Sequence, residues 1–281
     1  RAGLTIAEVI EAMVGAHQED LFPPPMPMTG QRRDERLVVR NLRSGQLRDI
    51  SFEARTGEIV GMAGLEGSGV STLLGILFGT HKPEAGEVIL PDGHGQPRSP
   101  TDAARRGVCL VPADRRRNGL MLDKSLVDNI AHVFLGAFDS RMPWLNRGDM
   151  VERTERQISN LRIKAGSPFA LANQLSGGNQ QKVVVGKWLE TAPRLVLLDD
   201  PTRGVDVGAK REIYLLIRKL SSEGRIVLFS STELPELIGL CDRILVLYRG
   251  RLAGELAGET ITNHNLLHLI NTGGRQPAAV S

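Results

Sequence analysis

The order of apolar and polar positions along the chain separates short apolar runs from longer amphipathic stretches. Several of the short runs are continuously apolar, which is typical of parallel strands that are covered on both faces. The predicted strands lie at 36–40, 50–54, 58–63, 87–90, 107–111, 194–199, 225–230 and 243–248. Apolar positions three and four residues apart predict helices at 71–78, 126–134, 149–162, 177–189, 209–222 and 234–240. This alternation predicts an α/β domain.

Residues 114–175 interrupt the alternation, because the pattern there is mostly helical. We expect this region to form a helical subdomain inserted into an α/β core. The domain as a whole is expected to span residues 36–275, and 276–281 to form a short tail.

The N-terminal part of the chain has a different pattern. Thr5 and Glu8 form a capping box at the start of a short amphipathic helix that ends at Gly15, and a Pro-rich stretch follows. A similar helical pattern follows Thr262. We therefore interpret residues 1–22 as the tail of a preceding, similar domain and 23–35 as an extended linker. Because the chain begins with Arg1, we expect it to be part of a longer polypeptide. The repeated helical pattern predicts that this polypeptide contains two such domains.

Composition narrows the class of protein. The chain has 281 residues, 41% hydrophobic and 24% charged, as in a globular protein with a sizeable core. Apolar runs stay shorter than the roughly 18 residues of a membrane span, and no signal-peptide pattern is present. We therefore expect any link to a membrane to pass through a partner.

The net charge of +3, from 35 basic and 32 acidic residues, does not indicate nucleic-acid binding. The basic cluster Arg115–Arg117 is interpreted as a solvated loop or a partner contact. Cys109 and Cys241 lie in apolar surroundings, so we expect buried thiols in a reducing cytosol and neither a disulfide nor a zinc site.

The segment Leu175–Gln181, called the signature segment below, is the first candidate for chemistry. Ser176 fits a helix N-cap, and Gly177 and Gly178 leave backbone N–H groups uncovered at the positive end of a helix. Such a helix start can bind an anion. By itself, the pattern favours an ordinary helix start. Two other motifs change this interpretation.

The first of these motifs is a glycine loop, Gly64–Thr72, between a predicted strand and a predicted helix. Its spacing matches a phosphate-binding loop in which Gly64, Gly67 and Gly69 let successive N–H groups converge on phosphate oxygens. However, Val70 stands where a phosphate-binding loop has lysine. A charge-assisted hydrogen bond contributes about 1.5–3 kcal/mol, and valine provides none. In isolation, an ordinary strand–helix turn is an equally good interpretation.

The second motif is a strand that ends in two carboxylates, Asp199 and Asp200. Together with the glycine loop and the signature segment, in this order along the chain, it resembles the nucleotide-binding domain of ABC transporters, whose LSGGQ signature Leu175–Gln181 nearly matches. The resemblance implies an ABC-type P-loop NTPase fold, with a mostly parallel core sheet, an antiparallel β subdomain and an inserted helical subdomain.

The resemblance also implies ATP and Mg²⁺ as cofactors. By position, the nucleotide would lie on the glycine loop, and the metal would be held by Ser71 and, through water, by Asp199. The implied nucleotide-binding residues are Gly64, Gly67, Gly69, Val70, Ser71 and Thr72.

Three further positions depart from the family pattern. Ala113 occupies the Q-loop position, where a glutamine is usual. Asp200 stands in place of a catalytic glutamate and is one methylene shorter, so it is a weak candidate for the base. Thr232 occupies the switch position, where a histidine is usual. Together with Val70, these departures predict a poor hydrolase or none, and they put ATP binding at this site in question.

The residues that would face a partner domain are intact. They are Ser176, Gly177, Gly178 and Gln180 of the signature segment, and Asp206 at the D-loop position. ABC domains pair head to tail, with each ATP between one glycine loop and the other domain's signature. The resemblance therefore implies that this signature segment acts in trans, on the ATP site of the preceding domain.

Three longer sequence segments make the resemblance more specific. Val111–Leu120, Leu175–Val183 and Asp200–Lys210 resemble the second ATP-binding half of the fused ATPases of bacterial monosaccharide importers of the ribose, galactose, xylose and arabinose type. This implies a transport ATPase that works within a complex at the cytoplasmic face of the plasma membrane. The implied partners are transmembrane permease subunits and, indirectly, an extracytoplasmic sugar-binding protein, but no nucleic acid.

Other interpretations stay open. Importers of nucleosides, purines or signalling furanones share the fused architecture, and a non-hydrolysing regulatory module would share the motifs. A DNA-repair ABC ATPase is disfavoured, because the insert between Ala113 and Leu175 is too short for a long coiled coil and zinc-finger cysteines are missing.

Overall fold

The computed structural model describes residues 21–30, 34–137 and 147–274, and it confirms the α/β fold. The strands are β1 (Arg36–Ser44), β2 (Leu47–Arg55), β3 (Ile59–Ala63), β4 (Ala85–Ile89), β5 (Val108–Val111), β6 (Leu195–Asp199), β7 (Ile226–Ser230), β8 (Arg243–Tyr248) and β9 (Arg251–Ala257). The helices are α1 (Val70–Leu77), α2 (Pro100–Arg105), α3 (Leu126–Ala137), α4 (Arg147–Asn160), α5 (Gly177–Leu189), α6 (Val207–Ser222), α7 (Leu234–Leu240) and α8 (Asn263–Thr272).

The main sheet has six strands in the order β5-β6-β7-β3-β8-β9, all parallel except β9. Strands β3 and β7 are buried along their whole length, which explains their continuous apolar sequences. Because β3, β6 and β7 are neighbours and parallel, their carboxyl ends meet at one edge of the sheet. Ligands of open α/β sheets bind at such an edge.

A second sheet, in the order β2-β1-β4, is antiparallel and corresponds to the expected antiparallel β subdomain. It touches the main sheet at Gly250, whose amide carbonyl accepts a hydrogen bond from Arg48 N at 2.7 Å. A Cβ atom on Gly250 would lie 1.6 Å from Gln46 O. Only glycine permits this approach of the two sheets.

The sequence pattern missed two elements. Strand β9 is an exposed edge strand with a single buried residue, Leu256, so it lacks the apolar run that marks the other strands. Helix α2 has six residues and buries only Ala103 and Ala104. Its Ser99 N-cap and Pro100 were present as start signals, but no periodic apolar stretch follows them.

The predicted helix near the far end is confirmed as α8. Thr262 caps it by accepting a hydrogen bond from Asn265 N at 3.2 Å, and it ends at Gly273 in the left-handed conformation (φ 66°). The similar helix expected from Thr5 to Gly15 lies outside the described residues, so the internal repeat stays a prediction.

The helical subdomain is built from α3, α4 and the first part of α5. It has a small core of its own, formed by Leu126, Ile130, Leu161, Ile163, Ala172 and Val183. Buried Asn129 fixes the entry to α3 by accepting from Met121 N at 2.8 Å and donating to Met121 O at 3.0 Å. Helix α5 then joins the main core, where Trp188 meets Phe78 edge to face at 5.4 Å.

The Pro-rich segment 21–30, called the strap below, is extended but is not free of the domain. The Phe22 and Tyr214 rings lie 5.2 Å apart, and Arg218 Nε donates to Pro23 O at 3.1 Å. Further along, Thr29 N donates to Ser222 O at 2.8 Å. The strap therefore lies along α6, with Phe22, Pro23 and Thr29 in contact with that helix.

Two smaller expectations can be compared with the structure. Within the described ranges, no helix is long and apolar enough to cross a membrane. Cys109 and Cys241 are buried, as expected, and burial raises the pKa of the Cys109 thiol to about 12. Both thiols are therefore protonated and shielded from oxidants.

Lys187 on α5 gives a prediction about stability. Its ammonium group is buried, donates to Gly119 O, and pairs with no carboxylate in the part of the chain that the structure describes. Burial lowers the pKa of Lys187 from 10.5 to about 8. Between these values the unfolded chain binds more protons than the folded one, so the free energy of unfolding rises with pH in this window.

We expect Lys187→Met to remove most of this rise and to stabilise the fold at pH 7 by on the order of 2 kcal/mol. Urea unfolding at pH 7, 8.5 and 10 measures both effects. Lys219→Met, at an exposed position of α6, is the control and should leave the slope unchanged. A variant that keeps the wild-type pH dependence would contradict the assignment.

Candidate functional site

A cleft of about 420 Å³ opens at the carboxyl edge of β3, β6 and β7. Every residue predicted for the nucleotide and metal site lines it, although these residues come from four separate parts of the chain. The lining residues are Gln46, Met62, Gly64, Leu65, Glu66, Gly67, Ser68, Gly69, Val70, Ser71, Thr72, Ala113, Asp199, Asp200, Arg203, Ser230, Ser231 and Thr232. The contribution of Gln46, from the turn between β1 and β2, had no signal in the sequence.

The glycine loop has the shape that binds phosphate. Gly67 and Gly69 adopt left-handed conformations (φ 79° and 106°), and a Cβ atom on Gly64 would lie 2.3 Å from Ser68 Oγ. The loop leads directly into α1, whose first-turn N–H groups have no partner within the helix. At this point Val70 is only 8% exposed, so a buried apolar side chain stands where a cation would meet the phosphates.

Asp199 and Asp200 are held by residues at the end of the neighbouring strand. Ser230 Oγ donates to Asp199 Oδ1 at 2.9 Å and accepts from Asp200 N at 3.2 Å. Ser230 was not predicted, although a serine that ends an apolar strand beside β6 is a usable signal. Asp200 has a left-handed backbone (φ 46°), which aspartate adopts more readily than most residues.

The surroundings of Asp200 leave its carboxylate less accessible to a water molecule than an exposed carboxylate would be. Its side chain is buried, and Thr232 Oγ1 donates to its Oδ2 at 3.0 Å. Burial raises the pKa of Asp200, and this effect outweighs the hydrogen bonds from Thr232, which lower it. The switch-position threonine thus occupies one oxygen of the carboxylate instead of contacting a phosphate.

The oxygen donors of the cleft fit part of the coordination shell of Mg²⁺. Ser71 presents an exposed hydroxyl and Asp199 a partly buried carboxylate, and both line the cleft. Among the described residues, no cluster of three His, Cys, Asp or Glu side chains could hold a metal ion alone. Mg²⁺ commonly takes one or two carboxylates and completes its shell with phosphate oxygens and water. Ser71 and Asp199 would therefore hold it together with a bound nucleotide.

The signature segment does not belong to this cleft. Ser176 is exposed at the N-cap position of α5, but its hydroxyl makes no capping bond and instead accepts from Asn179 Nδ2 at 2.9 Å. Gly177 and Gly178 form the first turn, whose N–H groups have no partner within the helix. Gln180 is turned inward, since it is buried and donates to Ala172 O at 3.1 Å. The structure therefore does not place its side chain with Ser176.

Arg115 connects this surface to the loop after β6. Its Nη1 donates to Arg203 O at 2.8 Å and its Nη2 to Gly204 O at 3.1 Å. A Cβ atom on Gly177 would lie 2.6 Å from the same Nη2 atom. The interpretation of Arg115–Arg117 as a solvated loop or partner contact is therefore wrong for Arg115, which serves as an internal brace. Local sequence cannot show this long-range contact.

Asp206, at the D-loop position, has a structural role. It is the N-cap of α6, and its Oδ1 accepts from Ala209 N at 3.0 Å. Helices α5 and α6 meet close by, because a Cβ atom on Gly178 would lie 2.5 Å from Ala209 Cβ. Asp206 thus fixes the helix start that packs against the signature segment.

A buried carboxylate, Glu236 on α7, lies behind the site and was not predicted. It is 1% exposed and accepts four hydrogen bonds. The donors are Ser231 Oγ (2.6 Å), Tyr214 Oη (2.6 Å), Thr202 Oγ1 (2.7 Å) and Lys210 Nζ (3.1 Å). Glu236 therefore joins the loop after β6, the loop after β7 and helix α6 at one point.

Comparison with known proteins gives consistent results. Residues 47–203 match the family model described as ABC transporter. The chain is 39% identical over 269 residues to the ribose import ATP-binding protein RbsA of Bacillus subtilis (strain 168), covering 95% of this chain and 54% of that protein. It is 41% identical over 272 residues to the ribose import ATP-binding protein RbsA 1 of Rhizobium johnstonii, covering 94% and 52%. The chain thus spans about half the length of these curated relatives.

Solved structures support the fold. A nucleotide-free ATP-binding cassette from an ABC transporter superposes with a TM-score of 0.74 at 21% identity, covering 86% of this chain and 100% of that one. A dimeric bacterial ABC transporter cassette gives a TM-score of 0.67 at 22% identity, covering 81% and 99%. The family match covers the glycine loop, both carboxylates and the signature segment, and it shows that the chain belongs to the ABC transporter family.

Proposed function

We propose that the chain is the second ATP-binding domain of a fused bacterial ABC importer ATPase, and that it energises monosaccharide uptake. Two findings support the solute and the arrangement. The relatives are named as ribose import ATP-binding proteins, and this chain aligns with about half of each. In this proposal residues 36–275 form the domain, 23–35 the linker and 1–22 the tail of the preceding domain.

The observation that carries the proposal is the contrast between the two anion sites of the domain. The cleft has the shape of an ATP site but lacks part of its chemistry, since Val70 brings no charge, Ala113 no polar group, and Thr232 is bonded to Asp200. The signature segment, by contrast, presents the exposed Ser176 at the start of α5. One site is impaired and the other is open to a partner.

This contrast indicates how the domain would work. The signature segment would receive the γ-phosphate of an ATP bound to the preceding domain, where the N–H groups of Gly177 and Gly178 can stabilise negative charge. Arg115 and Asp206 keep the neighbouring loop in place while the two domains close on the nucleotide. This domain would thus contribute to catalysis without being the main hydrolase.

The other partners follow from the family role. We propose transmembrane permease subunits as direct partners and an extracytoplasmic sugar-binding protein as an indirect one, with the domain at the cytoplasmic face of the plasma membrane. Nucleoside or other small-solute importers are the alternative, as is a non-hydrolysing regulatory module. Transport-coupled ATPase activity of the complete complex with a panel of sugars and nucleosides separates these possibilities.

We expect the isolated chain to hydrolyse Mg·ATP at least about a hundredfold more slowly than the roughly 1 per second at the low end of typical enzymes. The reason is the absence of a lysine at Val70 and of a free base at Asp200. Steady-state phosphate release measures the rate. Asp199→Ala is the control, since contaminating ATPases would be unaffected by it. Robust turnover that disappears in Asp199→Ala would overturn the claim that this site is impaired.

A further inference from the structure

Arg203 has a distinctive place in the cleft. It is an exposed residue in the loop between β6 and α6. Among the described residues that line the cleft, it is the one cation, alongside the carboxylates of Glu66, Asp199 and Asp200. Val70 leaves the glycine loop without a cation, so among the described residues that line the cleft Arg203 alone brings positive charge.

The backbone of Arg203 is anchored while its side chain is not. Arg115 Nη1 donates to Arg203 O at 2.8 Å, and Arg203 N donates to Asp200 O at 3.2 Å. The preceding residue, Thr202, is tied to Glu236 at 2.7 Å. The Arg203 guanidinium, however, has no hydrogen-bond or ion-pair partner in the described part of the chain. A fixed loop thus holds a free cation at the cleft.

The carboxylates do not use this cation. Asp200 is occupied by Thr232 at 3.0 Å, and Asp199 by Ser230 at 2.9 Å. The charge of Arg203 nevertheless acts on Asp200. It lowers the pKa of Asp200, whereas burial raises it and has the larger effect. Guanidinium groups bind phosphate oxygens through two parallel hydrogen bonds, which a free and anchored arginine can offer.

We infer that Arg203 takes over the phosphate-binding charge that Val70 has lost, so that the cleft still binds Mg²⁺-bound nucleoside triphosphate although it hydrolyses it poorly. This inference rests on the proposed function only in that a nucleotide is the occupant of the cleft. The glycine loop provides the backbone donors, Ser71 and Asp199 hold the metal, and Arg203 provides the charge.

The test is calorimetric titration of the 281-residue chain with Mg·ATP and, separately, with inorganic tripolyphosphate. We expect Arg203→Gln to weaken the binding of both probes by about ten- to a hundredfold, because one charge-assisted contact is lost. Arg203→Lys should restore part of the affinity. Arg98→Gln is the matched control, since Arg98 is exposed and outside the cleft.

Two further measurements complete the test: the salt dependence of binding and the unfolding midpoints of the variants. Binding by the wild type should weaken more between 50 and 200 mM salt than binding by Arg203→Gln, because an exposed charge is screened. Unchanged unfolding midpoints would show that the variants fold. Equal affinities of the wild type and Arg203→Gln, or no binding by the wild type, would overturn the inference. The role of the signature segment is measured separately, in the assembled transporter, so either claim can fail without the other.

Discussion

Replacing Ser176 by arginine in the complete transporter is expected to abolish solute uptake and the ATPase activity coupled to it. Ser176 is exposed at the start of α5, where the N–H groups of the half-buried Gly177 and the buried Gly178 have no partner within the helix. In the proposed trans arrangement, an arginine side chain would fill the space that the γ-phosphate of the preceding domain's ATP needs. Loss of a preorganised donor set costs about 100- to 1,000-fold in rate, so we expect uptake to fall by at least about a hundredfold.

Ser176 is the best position for this experiment because its surroundings are open. At Gly178 any side chain would collide with Ala209 Cβ, and at Gly177 with the Arg115 guanidinium. Substitutions there would disturb the packing of α5, and a loss of uptake would have two explanations. At the exposed Ser176, the fold has room for the larger side chain.

The matched control is Ser159→Arg, which makes the same change at an exposed position of helix α4 in the same subdomain. It should transport normally. Uptake of labelled ribose and other sugars by reconstituted vesicles, together with phosphate release, gives the measurement. Wild-type uptake by Ser176→Arg would show that the signature segment does not contact nucleotide, and the trans arrangement would be wrong.

Replacing Glu236 by leucine is expected to lower the free energy of unfolding by about 3–5 kcal/mol. The substitution removes a buried acceptor of four hydrogen bonds, leaves the buried Tyr214 hydroxyl without this acceptor, and leaves the Lys210 ammonium with only the exposed Glu233 as a carboxylate partner. Burial works to raise the pKa of Glu236, but the hydrogen bonds from Ser231, Tyr214, Thr202 and Lys210 outweigh it, so the pKa is lowered. The carboxylate is thus stabilised in its charged form.

The sign of the pH effect follows from that lowered pKa. The stabilisation by Glu236 is present above the pKa of the unfolded chain and is lost as the pH falls through the folded value. Urea unfolding between pH 7 and pH 3 should therefore show a steeper acid loss for the wild type than for Glu236→Gln. Glu233→Gln is the control, because Glu233 also contacts Lys210 but is exposed. A loss below about 1 kcal/mol for Glu236→Leu would contradict the network.

The sequence was informative wherever structure depends on neighbouring residues. The buried strands β3, β6 and β7 were predicted because their apolar runs are continuous. The glycine loop was predicted because left-handed Gly67 and Gly69 are required within a few residues of each other. All predicted residues of the nucleotide site meet in one cleft because parallel neighbouring strands must end at the same edge of the sheet.

The remaining features depend on contacts between distant parts of the chain. Arg115 reaches the carbonyl groups of Arg203 and Gly204 across 88 and 89 residues of sequence, and no local pattern indicates such a partner. Glu236 looks like an ordinary polar residue of a helix start until Lys210 and Tyr214 are placed around it. Gln180 belongs to a motif associated with a partner, yet its burial follows from the packing of α5 on the subdomain.

The strap restricts the conformational freedom of any tether that joins another domain through Leu21. A flexible tether of roughly a dozen residues would let its ends separate by about 20 Å and would sample many directions. Contacts to Pro23 and Thr29 remove that freedom and set the point of departure on the α6 side of the domain. A segment attached there would leave this domain from a fixed point, which would raise its effective concentration near α6. That point of departure is set before any nucleotide binds.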